Sequence, residues 1–231
     1  MKTFFKPVLA AGLALAVTAP LAAPAAHAQV AGIATSTPEI VMVRAAARIA
    51  GYAAINTTYA TQIQQISTLR QQIATATQSL DTNSDGQLTQ AEVDANPTVR
   101  DQIQANQTTV DTLSAPIALA QYYVIEQLIN DYGNARTQVI QSKNIQIMLT
   151  PEAFQYAADG VDVTDDILAV VDQRLPQVAT TPPQGYRPRQ NTVETHQAVQ
   201  QIILAAAQRQ AIQQAQQQQQ AAPAQPAPSG R

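Results

Sequence analysis

A chain of 231 residues accommodates one ordinary domain, or a small domain with extensions. Aromatic residues make up 4% and charged residues 13%, too little for a thick aromatic core or an ion-pair-laced surface. Gln takes 35 positions, which leans the composition towards long helices and biased tails. The absence of Cys excludes a disulfide scaffold, a Cys-ligated metal and a thiol nucleophile, and a net charge of −3 argues against a general nucleic-acid binder.

Met1 to Ala28 reads as a secretory signal peptide. Lys2 and Lys6 form its charged region, Val8 to Val17 its apolar run, and Ala26-His27-Ala28 its small-x-small cleavage site. The run falls short of the ~20 apolar residues that a membrane span needs. Export would leave a net charge of 11 − 16 = −5. No later stretch is long and apolar enough to span a bilayer, so the exported chain is expected to be soluble, stabilised by packing or oligomerisation in place of disulfides.

Residues 29–43 form an N-terminal segment: Val30 to Pro38 is expected to be loose, and the β-branched run Ile40-Val41-Met42-Val43 reads as a strand. Residues 44–143 read as a helical hairpin arm. From Arg44 to Leu80, Tyr59, Ile63, Ile66, Arg70, Ile73, Thr77 and Leu80 alternate by four and three, the seam of a coiled coil. A second helix runs from Pro97, with Asn96 as N-cap, to Lys143. Its seam is Val99, Ile103, Asn106, Val110, Leu113, Ile117, Ala120 and Val124, and Pro116 should kink it. Neither stripe can be buried alone, so the two helices should pair antiparallel.

Between them, residues 81–92 match the calcium-binding loop pattern of an EF-hand at every constrained position. Ca²⁺ takes six to eight oxygens. Asp81, Asn83 and Asp85 would supply alternate side chains, Gly86 the sharp turn, Gln87 its carbonyl, Thr89 a direct or water-mediated oxygen, and Glu92 a bidentate carboxylate. With three carboxylates and no second loop to pair with Leu88, the expected affinity is weak, ~10⁻⁴ to 10⁻³ M. A plain Asx/Gly turn joining two helices is the alternative.

Residues 144–178 should complete a small body: a strand at Ile145–Leu149, another at Phe154–Ala157 across the Pro151 turn, and a helix from Asp162 to Leu175 begun by Asp162 or Thr164 and stopped by Pro176. Three short strands cannot close a sheet, so copies of the chain are expected to pool them. The residues expected to join the copies are Ile40, Val41, Met42, Val43, Ile145, Ile147, Leu149, Phe154 and Tyr156. Residues 179–231 form a Pro/Gln/Ala-rich tail with a linker at Thr180–Gln190 and a possible helix over 191–220, either a solvated tail or a docking helix. The expected fold class is α+β, mostly α: a long antiparallel hairpin, or coiled-coil arm, on a small β-containing oligomerisation body.

Asn144-Ile-Gln-Ile-Met-Leu-Thr-Pro-Glu-Ala-Phe-Gln-Tyr-Ala, followed by Asp162-Val-Thr-Asp-Asp-Ile-Leu-Ala-Val-Val, resembles the C-terminal part of the Skp/OmpH family of periplasmic chaperones. The order of signal peptide, strand and hairpin is similar as well, so the resemblance covers about Ile40 to Val178. It implies a homotrimer whose pooled strands carry three arms around a cavity. There, without ATP, unfolded outer-membrane β-barrel proteins are held in the periplasm. Scattered Ile, Val and Tyr with no Trp would make a weakly adhesive arm surface. One departure stands out: family arms are commonly basic, whereas Ala45 to Lys143 carries five basic residues against eight acidic ones. A calcium loop is not a usual family feature.

Catalysis finds little support. His196 lacks triad or metal partners and reads as a surface helix residue, and Asp165 and Asp166 read as helix-start acids. A non-enzyme is expected, with no nucleic-acid partner. The alternative to a holdase is a calcium-binding structural or adaptor protein of the cell envelope, and a third possibility is an assembly that docks through the 191–220 helix.

Overall fold

The computed structural model of the protein describes residues 32–221. The expected signal peptide, Met1 to Ala28, and the last residues of the tail, 222–231, lie outside them. The chain is mostly helical with one small sheet. In order come β1 (Ile33–Thr35), α1 (Pro38–Arg44), α2 (Ala46–Thr58), α3 (Ala60–Leu80), α4 (Gln90–Ala95), α5 (Pro97–Ser142), β2 (Ile147–Leu149), α6 (Thr164–Arg174) and α7 (Gln190–Ala221).

β1 and β2 pair in parallel, with Ile33 opposite Ile147 and Thr35 opposite Leu149. Parallel neighbours need a crossover between them, and here the whole of α1 to α5 is that crossover. The Gly32 carbonyl starts the ladder by accepting the amides of Gln146 at 2.7 Å and Ile147 at 2.8 Å. On its other side β1 receives the Val163 N–H on the Thr35 carbonyl at 2.9 Å.

This differs from the expectation at three places. Ile40–Val43 is helical, within α1, and the N-terminal strand lies earlier, at Ile33–Thr35, in the stretch expected to be loose. Periodicity cannot type a four-residue β-branched run. What decides it is Pro38 in the first turn, with Glu39 near the positive end and Arg44 near the negative end. Phe154–Ala157 forms no strand; a 3₁₀ turn at Pro151–Ala153 precedes it, followed by irregular chain. The strand expected at Ile145–Leu149 is confined to Ile147–Leu149.

α2 and α3 are nearly one helix. At Tyr59 the backbone turns to φ −104°, ψ 20°, yet its N–H still reaches Ile55 O and its carbonyl still accepts Ile63 N–H, both at 2.9 Å. α3 packs along the first half of α5 to make the arm, closed by Ile66, Leu80 and Val110. α5 continues unbroken through Pro116. It ends where Asn144 takes a left-handed conformation (φ 54°) and the Ile145 amide reaches back to Ile140 O at 3.0 Å, a Schellman-type stop.

The second half of α5 is the spine of the body. Val124, Ile125 and Leu128 are fully buried with Val41, Met42, Ile55, Ile167, Val171 and Val199, drawing α1, α2, α6 and α7 onto one core. Polar contacts fix the angles. Thr164 Oγ1 accepts the Thr37 amide at 3.0 Å, Arg44 pairs with Asp165 and Lys143 with Asp166. The Asp172 carboxylate caps α2 by accepting the Ala46 amide at 2.8 Å, an anion at a helix N-terminus.

Candidate functional site

The sheet has a free side. Among the described residues β2 is hydrogen-bonded only to β1, and along it Ile147 is 51% and Leu149 40% exposed. Tyr156, seven residues on, is 85% exposed. The residues expected to join copies of the chain therefore divide. Val41 and Met42 are buried in the core of the chain itself, and Ile40, Val43, Ile145 and Phe154 are half-buried. Ile147, Leu149 and Tyr156 present apolar surface to solvent. A row of unpaired strand groups flanked by exposed apolar side chains is a template for a further strand.

The arm is thin and polar. Its seam buries Ile66 and Val110, while the flanks carry Gln, Thr and Ser, and open grooves between α3 and α5 are lined by residues such as Gln64, Thr68, Leu69 and Leu113. Asn106, a seam position, has its side-chain nitrogen buried without a partner among the described residues. Such a surface offers many small, weak contacts.

At the arm tip the loop 81–92 is held by its own carboxylates. Asp81 accepts the amides of Asp85 (3.2 Å) and Gly86 (2.9 Å), Asn83 accepts that of Asp85 (2.9 Å), and Asp85 that of Gln87 (2.8 Å). Each of these oxygens keeps a lone pair for a hard cation. Glu92 does not. Its Oε1 accepts the Thr82 amide and hydroxyl at 3.1 and 3.3 Å, and its Oε2 the Thr89 amide and hydroxyl at 3.0 and 2.7 Å, so its four acceptor sites are filled. The Thr89 donors first, then the amides beyond, hold its carboxyl down at about 2. With Thr89 Oγ1 accepting the Glu92 amide, this is a capping box that opens α4. Among the described residues no group of three acids or histidines is gathered closely enough to grip a metal ion. Calcium would have to draw Glu92 out of the box and gather Asp81, Asn83 and Asp85 around itself. Leu88 is 44% exposed.

Sequence reasoning missed a fourth feature. The stretch 175–189 is fastened along α5, not free. Gln127 pairs with Ala179, Tyr186 Oη donates to Glu126 Oε2 at 2.8 Å, and Arg189 reaches Glu126 at 3.3 Å and Asn130 at 2.6 Å. Burial alone would raise the Glu126 carboxyl, but the hydroxyls of Tyr186 and Thr192 and the Arg189 charge keep it below its ordinary value. α7 then packs on α5 and α1. His196, expected at the surface, is only 9% exposed, with Gln121 Oε1 at 3.2 Å and the Tyr122 ring edge-on at 4.8 Å. Its signal lay in the stripe Thr192, His196, Val199, Ile203, spaced for one helix face.

Asp165 and Asp166 sit in the first turn of α6 and bind Arg44 and Lys143. No described helix is long and apolar enough to cross a membrane.

No protein-family model matches the chain, and no curated protein matches it. The chain is similar to a crystal structure from Caulobacter crescentus described as an OmpH-like outer membrane chaperone, at 16% identity and a TM-score of 0.45. The match covers 66% of this chain and 90% of that one.

Proposed function

We propose that the protein is an ATP-independent holdase of the periplasm that keeps unfolded outer-membrane β-barrel proteins from aggregating, working as a homo-oligomer, a trimer by resemblance, joined along β2. The observation that carries this reading is a long, weakly adhesive helical arm mounted on a body whose two-stranded sheet ends in an open apolar edge. A two-stranded sheet is marginal alone, and strands contributed by other copies would complete it while setting several arms around a shared space. β2 and α6 of the body also lie in the stretches on which the Skp/OmpH resemblance rests. The acidic arm supplies no electrostatic pull on acidic clients, so capture would depend on many shallow apolar and amide contacts. The decisive measurement is light scattering from an unfolded β-barrel protein diluted out of urea, with and without equimolar chain. Suppressed scattering supports the reading, and unchanged scattering ends it.

The loop 81–92 favours a second element, a weak Ca²⁺ site at the arm tip held by Asp81, Asn83, Asp85, the Gln87 carbonyl, Thr89 and a released Glu92, stiffening the bend between the arm helices. Without chaperone activity, the same site would suit a structural or adaptor protein of the envelope. Calorimetry with CaCl₂ on the protein and on Glu92→Gln tests it: equal heats from both would remove calcium from the account.

A further inference from the structure

We infer that α7 is an acid-releasable strap: near neutral pH it lies docked across the base of the arm, and protonation of His196 at the centre of its docked face frees it, baring Tyr52 and Tyr122. This stands apart from the chaperone reading and depends only on the docked geometry.

The docked face is short and polar at its centre. Thr192, His196 and Val199 are the buried residues of α7, with Ile203 half-buried below them; Leu204 is 60% exposed, and past Ala205 the described side chains are exposed, including Ile212 at 58%. The three buried side chains span two turns, and the histidine is the middle one. A short amphipathic stretch of this kind depends on tertiary contact for its stability.

The surroundings of the ring disfavour a positive charge. From α2 come Tyr52, whose ring lies 6.4 Å away, and Arg48, whose guanidinium stacks on that ring at 5.3 Å. From α5 come Gln121 and Tyr122, with Glu126 one turn further on, its carboxylate already taken by Tyr186, Thr192 and Arg189. From α7 itself come Gln200, with its Nε2 at 3.3 Å, and Glu194, which accepts the Gln190 side chain. α1 brings Arg44, paired with Asp165, and Glu39, beside Tyr132. Among the described residues no carboxylate touches the ring, and the nearest formal charge on α2 is positive. The hydrogen-bond neighbours of the ring among the described residues, Gln121 Oε1 and Gln200 Nε2, both lie at Nε2.

The sign follows. Burial lowers the His196 pKa from 6.5 in the docked state. The undocked helix therefore binds the proton more readily, and docking weakens as pH falls below 6.5, by up to about tenfold per pH unit for a single linked proton. Glu126, held below its ordinary value, stays charged in this range, so its latch persists and the release is confined to the helix.

Amide hydrogen exchange of the full chain at pH 7.5 and 5.0, corrected for intrinsic rates, tests this. Protection over 190–203 should fall at pH 5.0 while α5 and α6 keep theirs, and His196→Gln should keep equal protection at both values. Unchanged protection in the parent chain, or an equal fall in the variant, overturns the inference. The ring titration of His196, assigned by its loss in the variant spectrum, gives a second readout that needs no folded variant: a midpoint below 6.5 supports release, and one at or above 6.5 overturns it.

Discussion

The Gln127 side chain treats Ala179 as a strand neighbour: its Oε1 accepts the Ala179 amide at 2.9 Å and its Nε2 donates to the Ala179 carbonyl at 2.8 Å. One side chain on the spine helix thus satisfies both backbone groups of a residue in a Pro-rich connector. Each such bond is worth about 0.5–1.5 kcal/mol net, at the low end where water competes. Gln127→Leu should cost about 1 kcal/mol in urea unfolding and speed tryptic cleavage after Arg189, with the fold otherwise kept. Unaltered cleavage would mean that the connector is held by Glu126 alone.

Gly51 faces the same connector from α2. A Cβ there would lie 3.0 Å from Val178 Cγ2 and 3.2 Å from Val124 Cγ2, and Val124 is fully buried. A helix-interior Gly→Ala change ordinarily gains up to about 1 kcal/mol, which this crowding should cancel. Gly51→Leu overpacks the site and should lose about 1–3 kcal/mol, read as a lower Tm. A raised Tm for Gly51→Leu would contradict the close approach.

Ser36 and Tyr132 share a buried hydrogen bond of 2.9 Å that ties the end of β1 to α5. Tyr132→Phe leaves the Ser36 hydroxyl unsatisfied and should cost about 1–3 kcal/mol. Adding Ser36→Ala to Tyr132→Phe should recover part of that loss, because both partners are then gone. A double-mutant cycle by urea unfolding measures the coupling, and additive losses would refute it.

At the arm tip the pH dependence has the same sign as that of α7 but lies in a more acidic window. Glu92 titrates at about 2 in the folded loop against 4.5 when free. A depressed carboxyl stabilises fully above the free value, and the benefit drains away as pH falls from about 4.5 to about 2. Amide protection over 82–95 should decline through that window, and Glu92→Gln should flatten the decline. A midpoint near 4.5 for Glu92 by NMR would show the capping box to be loose.

Ile147→Lys places a charge on the open side of β2, a substitution that discourages strand addition. The variant should keep the helical signal of the parent chain and shift its light-scattering mass to that of a monomer. Equal masses for both, at the oligomer value, would place the contact elsewhere.

The long elements were legible because their signals are long. The four-three seam over two stretches, Pro97 after Asn96, and Asp162 and Thr164 before an apolar face all mark helices that the structure contains. The short elements were not. Ile40–Val43 offers no period to read, and its helix start lay in Pro38 and Glu39; Ile33–Thr35 is a strand because Gln146, Ile147 and Val163, over a hundred positions away, donate their amides to the Gly32 and Thr35 carbonyls. His196 was misplaced because a histidine in a Gln-rich run looks solvated until the helix face that carries it is docked. The loop 81–92 is complete in residue types for calcium, and its capping box was not legible beside that pattern: Glu92, the twelfth position, closes the start of α4.

The parallel sheet has a consequence for how the chain assembles. Ile33 must wait for Ile147, and closing so long a loop by diffusion alone is entropically costly and slow. Pairing of α3 with α5 before the sheet forms would lower that cost, because it brings the two strands side by side. The arm is thus a folding jig as well as a tool, and whole turns could be added to or cut from both its helices together without disturbing the register at its root.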